Sequence, residues 1–273
     1  MTNQTTSEKE LRYWWRTSII DMKPGHIALQ GHTIESLIGK VSLSQMIWMM
    51  LRGSLPEIKQ AELLEAALVA GVDHGPQAPS IAAARMAATC GVGINNVMAT
   101  AVNMLGDVHG GAGESCAELY YGIEMSINNG FPLEEAVVKG LDDWQTENGK
   151  IIPGFGHRFH KPIDPRAPKL MSIVREAVLE GTVSGKFADI AEAIQSELHR
   201  RIGRPLAMNI DGATAVIFCE LGFPPPLSRG LFCLSRSVGI LAHAWEQMEQ
   251  GGRNKGPMPP KYLPLYEGEN IVK

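Results

Sequence analysis

Cysteine is scarce in this sequence, and it is not patterned. Only four occur in 273 residues, at positions 90, 116, 219 and 233, and no two form a C-x-x-C pair. That excludes a disulfide framework and leaves reduced, partly buried thiols as the expectation. A basic excess is missing too: 25 Lys and Arg stand against 29 Asp and Glu, a formal net charge of -4. A nucleic-acid partner would need a basic stripe, and there is none. No apolar run approaches the roughly 18 residues of a membrane span. The opening MTNQTTSEKELRYWW lacks the apolar centre of a secretory leader. The chain is therefore expected to be cytoplasmic, with no membrane partner. Long alternating runs of β-branched residues are also lacking, so no sizeable sheet is expected.

What remains is helical pattern. Hydrophobic residues make up 44% of the chain, enough for one large domain or two modest ones with a real core. Residues 25–39 read as a short extended or hairpin-like stretch punctuated by Gly and His. Residues 42–52 begin on a plausible Ser cap and stop at Gly53. Residues 56–72 place Leu63, Leu64, Ala67 and Leu68 on one side, with Pro before and Gly after. Residues 80–105 are apolar nearly all round and broken by Gly91 and Gly93, which predicts a buried core helix or two. Helical period continues over 114–128, 132–148, 167–180 and 186–202. It ends with 227–250, where Leu231, Leu234, Val238, Leu241 and Trp245 recur at helical spacing. The Gly- and Pro-rich tail from Gly251 cannot be regular helix. The predicted fold class is all-α.

Chemistry concentrates where a helical pattern is interrupted by Gly, His, Asp and Arg. Four interruptions stand out: VDHGPQAPS (72–80), GDVHGGAGE (106–114), PGFGHRFHKPIDPR (153–166) and MNIDGATA (208–215). A fifth feature is Arg236, inside the last apolar helix. Each has an ordinary reading: His74 as a turn residue, Asp211 as an N-cap, Arg236 as a structural ion-pair partner. His157 and His160 are spaced as metal ligands could be, but no H-E-x-x-H pattern and no Cys or acidic ligand set accompanies them, so no metal is expected. Cys116 near His109 falls inside a predicted helix rather than at an exposed turn, which disfavours a Cys–His nucleophile. The glycines of GVGINN and GDVHGGAGE follow no strand, which excludes a dinucleotide or P-loop site.

In order, DHG, VHGGAGE, PGFGHRFHKPIDPR, NIDG and LSRSVGILAHAW resemble the citrate synthase superfamily, and so do the earlier IALQGHTIESLIG and LRGSLP. The resemblance implies a large and a small helical domain with the active site in the cleft between them. It divides the chain into 1–110 with 221–273 (large) and 111–220 (small). It implies His109, His157 and Asp211 as catalytic residues, and His74, Arg166 and Arg236 as ligands of substrate carboxylates. Arg253, on the tail, is the candidate to complete the site of a partner subunit in a homodimer or dimer-based oligomer. The substrate it implies is a coenzyme A thioester, with Lys161 toward the CoA phosphates and Gly154, Phe155 and Gly156 toward the rest of CoA. The other small molecule is a dicarboxylate or tricarboxylate.

Two departures narrow the resemblance. The segment between LRGSLP and DHG is little more than one helix, and DHGPQAPS replaces a DHEGGN-like form. Both are similar to citryl-CoA lyases, including the lyase module of ATP-citrate lyase. Those lyases tend to lose the histidine of HGGA, whereas His109 is present here. The leading expectation is cleavage of citryl-CoA, or a close 3-hydroxy-3-carboxyacyl-CoA, to acetyl-CoA and oxaloacetate. The alternatives are condensation in the citrate synthase direction and a non-catalytic CoA-binding subunit.

Overall fold

The structure, a computed structural model, describes residues 13–157 and 163–269. Among them are eleven helices and three short strands, so the helical expectation holds. The chain divides into two compact units, Met1–Glu65 and Ala66–Lys273.

The first unit opens with an antiparallel meander, β1 Ile20–Lys23, β2 His26–Leu29 and β3 His32–Thr33, in the order β1-β2-β3. The hairpin-like reading of the region was sound, but the first strand starts ahead of Gly25. Gln30 and Gly31, with φ of 47° and 83°, make the β2–β3 turn with both central residues left-handed, the form that suits strand twist. A single-turn α1 (Ile34–Leu37) and α2 (Leu43–Arg52) follow. Ser42 caps α2 in a reciprocal capping box: its hydroxyl accepts from Gln45 N while the Gln45 side chain accepts from Ser42 N. Gly53, at φ 84°, ends the helix.

The second unit holds most of the helices. After α3 (Ile58–Gly71) come α4 (Pro79–Ala88) and α5 (Ile94–Val102), the two halves of the predicted apolar stretch, parted around Gly91 and Gly93. Then come α6 (Ala112–Asn128), α7 (Leu133–Asn148), α8 (Arg166–Leu179), α9 (Lys186–Ile202), α10 (Ile210–Glu220) and α11 (Pro225–Gln250). Helix α10 is buried from Gly212 to Cys219 and packs against α6, α8 and α9. An all-round apolar helix can only be interior. Burying side chains such as Val216, Ile217 and Phe218 is worth roughly 1.5–3 kcal/mol each, which anchors the helix firmly. A second cluster joins α4, α5 and α11 through Ala78, Ile81, Ala84, Val97, Ala101, Ile240 and Ala244. These two packings fix what comes next: α10 presents Asp211 in its first turn, and α11 lies along the segment that carries His74.

Candidate active site

Helix α10 is capped by Asn209, not by Asp211. The Asn209 side chain accepts from Asp211 N at 2.9 Å and Gly212 N at 3.2 Å, and its amide donates to Gly156 O at 2.6 Å. One residue thus starts the helix of Asp211 and holds the loop of His157. The same loop is pinned again by Gly156 N to Ala207 O at 2.8 Å and Asn209 N to Gly154 O at 3.0 Å. Gly154 has φ +83°, and a Cβ there would lie 2.5 Å from Cys116 Sγ and 2.8 Å from Gly212 Cα. Only glycine permits this approach. Phe155, beside it, is buried.

Asp164 ties a second arm to the same point. It is 1% exposed. Its Oδ1 accepts from Arg166 N at 3.1 Å and Nε at 3.0 Å, and its Oδ2 accepts from Arg166 Nη2 at 2.9 Å and Ile210 N at 3.2 Å. Arg166, at the start of α8, is therefore held beside the start of α10 by a bidentate, charge-assisted pair.

Burial pushes the Asp211 carboxyl above the usual carboxylate range; Arg166 and Arg236 pull it down and Asp164 adds to the rise. Arg236 is buried. It donates Nε to Gly71 O at 3.1 Å and packs over the Phe232 ring at 4.8 Å. Burial lowers its pKa, while the charges of Asp73 and Asp211 oppose the fall.

His109 is half-buried on the loop before α6. That loop is anchored by Arg229, which pairs with Asp107 at 2.7 Å and with Glu114. Ser80 N, in the first turn of α4, donates to His109 Nε2 at 3.2 Å, and Ser80 Oγ lies 2.9 Å from the same atom. A backbone amide can only donate, so Nε2 accepts and carries no proton; the neutral ring then bears its proton on Nδ1. Burial, and then the charge of Arg236, lower the pKa of His109, which keeps the ring neutral. The positive end of α4 acts in the same sense.

The His74 and His157 rings meet edge to face, with centroids 5.4 Å apart. The structure therefore joins His74 to His157 by contact, and Arg166, Asp211, Arg236 and His109 through their mutual fields. Arg253 is exposed on the tail, and among the described residues no contact links it to that group. Lys161 and His160 lie outside the described residues. Asn209, Asp164 and Ser80 went unnoticed in the sequence, although Asn as a favoured N-cap ahead of D-G was a usable signal. Among the described residues no three His, Cys, Asp or Glu side chains are grouped to hold a metal, and no helix is long and apolar enough to cross a membrane.

Comparison with known proteins adds four findings. The family described as citrate synthase, C-terminal domain, matches residues 57–255. The solved structure of a citryl-CoA lyase from Hydrogenobacter thermophilus superimposes with a TM-score of 0.83 at 32% identity, covering 95% of this chain and 97% of that one. An ATP citrate lyase from Methanothrix soehngenii, solved in complex with citrate and coenzyme A, shares the fold at a TM-score of 0.77 and 22% identity, covering 98% of this chain and 46% of that one. A citrate synthase from Haloferax volcanii is 30% identical over 200 residues, 73% of this chain and 50% of that protein. The chain spans about half the length of the curated relatives it matches.

Proposed function

We propose, from the premise that this chain belongs to the citrate synthase family, that it cleaves citryl-CoA, or a close 3-hydroxy-3-carboxyacyl-CoA, to acetyl-CoA and oxaloacetate. The observation that carries the reading is the setting of Asp211: a carboxyl made more basic by burial and acted on by the charges of Arg166 and Arg236, the second of which also acts on a neutral histidine, His109. Chemistry at the carbon next to a thioester needs a base at that carbon and a donor at the carbonyl oxygen. Asp211 serves as the first and His109 Nδ1–H as the second. His157 exchanges the proton of the tertiary hydroxyl. In cleavage, His157 takes the hydroxyl proton, the carbon–carbon bond breaks toward the thioester, and Asp211 protonates the resulting enolate carbon.

Arg166, Arg236 and His74 hold the substrate carboxylates. Filling those arginines with carboxylate charge removes the pull that lowers Asp211, so binding makes the base stronger. Lys161 and the Gly154–Phe155–Gly156 turn belong on this reading to the CoA side, with no metal in the reaction. The large and small domains of the family division close over the substrate and exclude water. Exposed Leu234, Val238, Leu241 and Trp245 recur along one side of α11, an apolar face suited to a second copy in a homodimer. Arg253 would reach the site from that copy. The compartment proposed is the cytoplasm.

The lyase direction is supported by the near-full-length likeness to the H. thermophilus lyase and by the DHGP form. The synthase direction, with acyl transfer to oxaloacetate and hydrolysis, is favoured by His109 and by relatives named citrate synthase. A non-catalytic CoA-binding subunit would have no need of the His109, His157 and Asp211 set. Incubation with citryl-CoA, read by mass spectrometry, separates the three. Acetyl-CoA with oxaloacetate supports the lyase, citrate with free CoA the synthase, and no turnover of citryl-CoA or of branched or longer 3-hydroxyacyl-CoA thioesters the binding subunit. An Asp211→Asn variant as active as the parent would remove Asp211 from the chemistry.

A further inference from the structure

Helix α11 holds the segment that carries His74 on three successive turns. Ser235 Oγ donates to Leu68 O at 2.5 Å, and Arg236 Nε donates to Gly71 O at 3.1 Å. One turn on, Gly239 lies directly on the chain: a Cβ there would sit 2.1 Å from Val72 O and 3.2 Å from Asp73 Cβ. A further turn on, His243 Nε2 lies 3.2 Å from Asp73 Oδ2. The other ring nitrogen, Nδ1, lies 3.1 Å from Arg85 Nη1 of α4. Arginine only donates, so Nδ1 accepts and the proton sits on Nε2, facing Asp73. Arg85 is held in turn by Glu246 and by Gln250 at 2.7 Å. Burial works against the Asp73 charge, but the bonds from His243 and from the Gly75 and His74 amides outweigh it and keep the carboxyl below its ordinary range. His74 is the next residue, and its ring meets His157.

We infer that His243 is a positioning residue. Through its Nε2–H bond to Asp73 it fixes the peptide that aims His74, and through the ring contact it fixes His157. The importance of His74 and His157 to turnover rests on the proposed function; the positioning itself does not. None of the groups named for the reaction requires a histidine here. The chain nonetheless places one with both nitrogens engaged, between a carboxylate and an arginine from two other segments.

A pair of isosteric variants tests this. Glutamine puts an amide nitrogen where Nε2 stands and can still reach Asp73. Asparagine reproduces only the Nδ1 position, so it can accept from Arg85 but cannot reach Asp73. The first readout is the ring carbon–proton NMR signals of His74, His157 and His109 in ligand-free, full-length protein. In His243→Asn the His74 and His157 signals are expected to move or broaden while His109, on a separate loop, stays. In His243→Gln all three are expected to stay. The second readout is kinetics on whichever thioester the parent turns over. For His243→Asn, kcat/KM should fall at least about tenfold, carried by kcat, since small misplacements of reacting groups act there. His243→Gln should recover to within about threefold of the parent.

Unmoved His74 and His157 signals in His243→Asn would overturn the inference. So would equal behaviour of the two variants, a matching shift of His109, or a His243→Asn protein that fails to fold where His243→Gln folds. A parent with no turnover defeats the functional reading and leaves the NMR comparison to decide the positioning.

Discussion

Replacing Asp164 with Asn tests whether the site is held by charge. The carboxylate accepts four N–H groups, three from Arg166 and one from Ile210. An amide can serve only half of them. Whichever way it is turned, its NH2 faces two donors and leaves them without an acceptor, and the guanidinium loses its counter-charge. Asp164 is 1% exposed and the Arg166 side chain 21%, so water compensates little. Breaking a buried pair by removing one partner costs about 3–5 kcal/mol; the lower end, about 3 kcal/mol, fits the partial exposure of Arg166. For a chain of this size that lowers Tm by roughly 6–12 °C.

The pH dependence is the sharper part. Burial opposes ionisation of Asp164, but the bonds from Arg166 and Ile210 outweigh it, so its folded pKa lies below the ordinary 3.8. A carboxyl lowered on folding stabilises fully above its unfolded value and loses that contribution as pH falls through the folded one. The gap between parent and Asp164→Asn should therefore be flat from about pH 5 to pH 8 and close only below about pH 4. Urea unfolding at a series of pH values measures it. A gap under about 1 kcal/mol, or one that changes steeply near neutrality, would refute the reasoning.

Gly154→Ala should lower Tm by several degrees, because the new methyl meets Cys116 Sγ and Gly212 Cα at φ +83°, and overpacking costs about 1–3 kcal/mol before the backbone strain; scanning fluorimetry reads it. His109→Gln, whose amide oxygen can still accept from Ser80 but which has no donor at the Nδ1 position, should lower kcat roughly 100- to 1,000-fold if that N–H serves the thioester oxygen, with Tm nearly unchanged; a loss under tenfold would reassign the donor. Because the Asp211 carboxyl is raised and gives up a proton in cleavage, its titration should set the alkaline limb of the kcat/KM profile for cleavage, above 3.8, while His109, whose pKa is lowered, keeps its own limb below 6.5. A profile in the Asp211→Glu variant that keeps the same limb would show that another group titrates.

The helices were largely legible, for local reasons. Ser42 with Gln45 three residues on, and Gly53 beyond Arg52, announce the ends of α2 within a few residues of chain. The split around Gly91 and Gly93 was equally plain. Helix α10 was not among the predicted helices: an interior helix has no polar face to mark its period, and its first turns fell within the 208–215 stretch read as an interruption, with the cap on Asn209 rather than Asp211. Most of the candidate residues could be named because they lie in motifs that break a helical pattern, and Arg236 because it is a charge inside an apolar helix. Their supports could not: Ile210 N reaches Asp164 across 46 positions, Asn209 reaches Gly156 across 53, and His243 reaches Asp73 across 170. Nothing in one sequence announces such pairings; they exist only once the helices have packed.

Asn209 and Asp164 give the start of α10 an unusual dependence. The helix bearing Asp211 is among the most enclosed in the chain, and its first turn is stitched to the loops of both His157 and Arg166. Fraying there, the cheapest motion for most helix ends, would release three candidate residues together. The site is thereby tied to the protein's interior, so heat inactivation measured beside the melting curve is expected to coincide with it, with no partly loosened, half-active form before collapse.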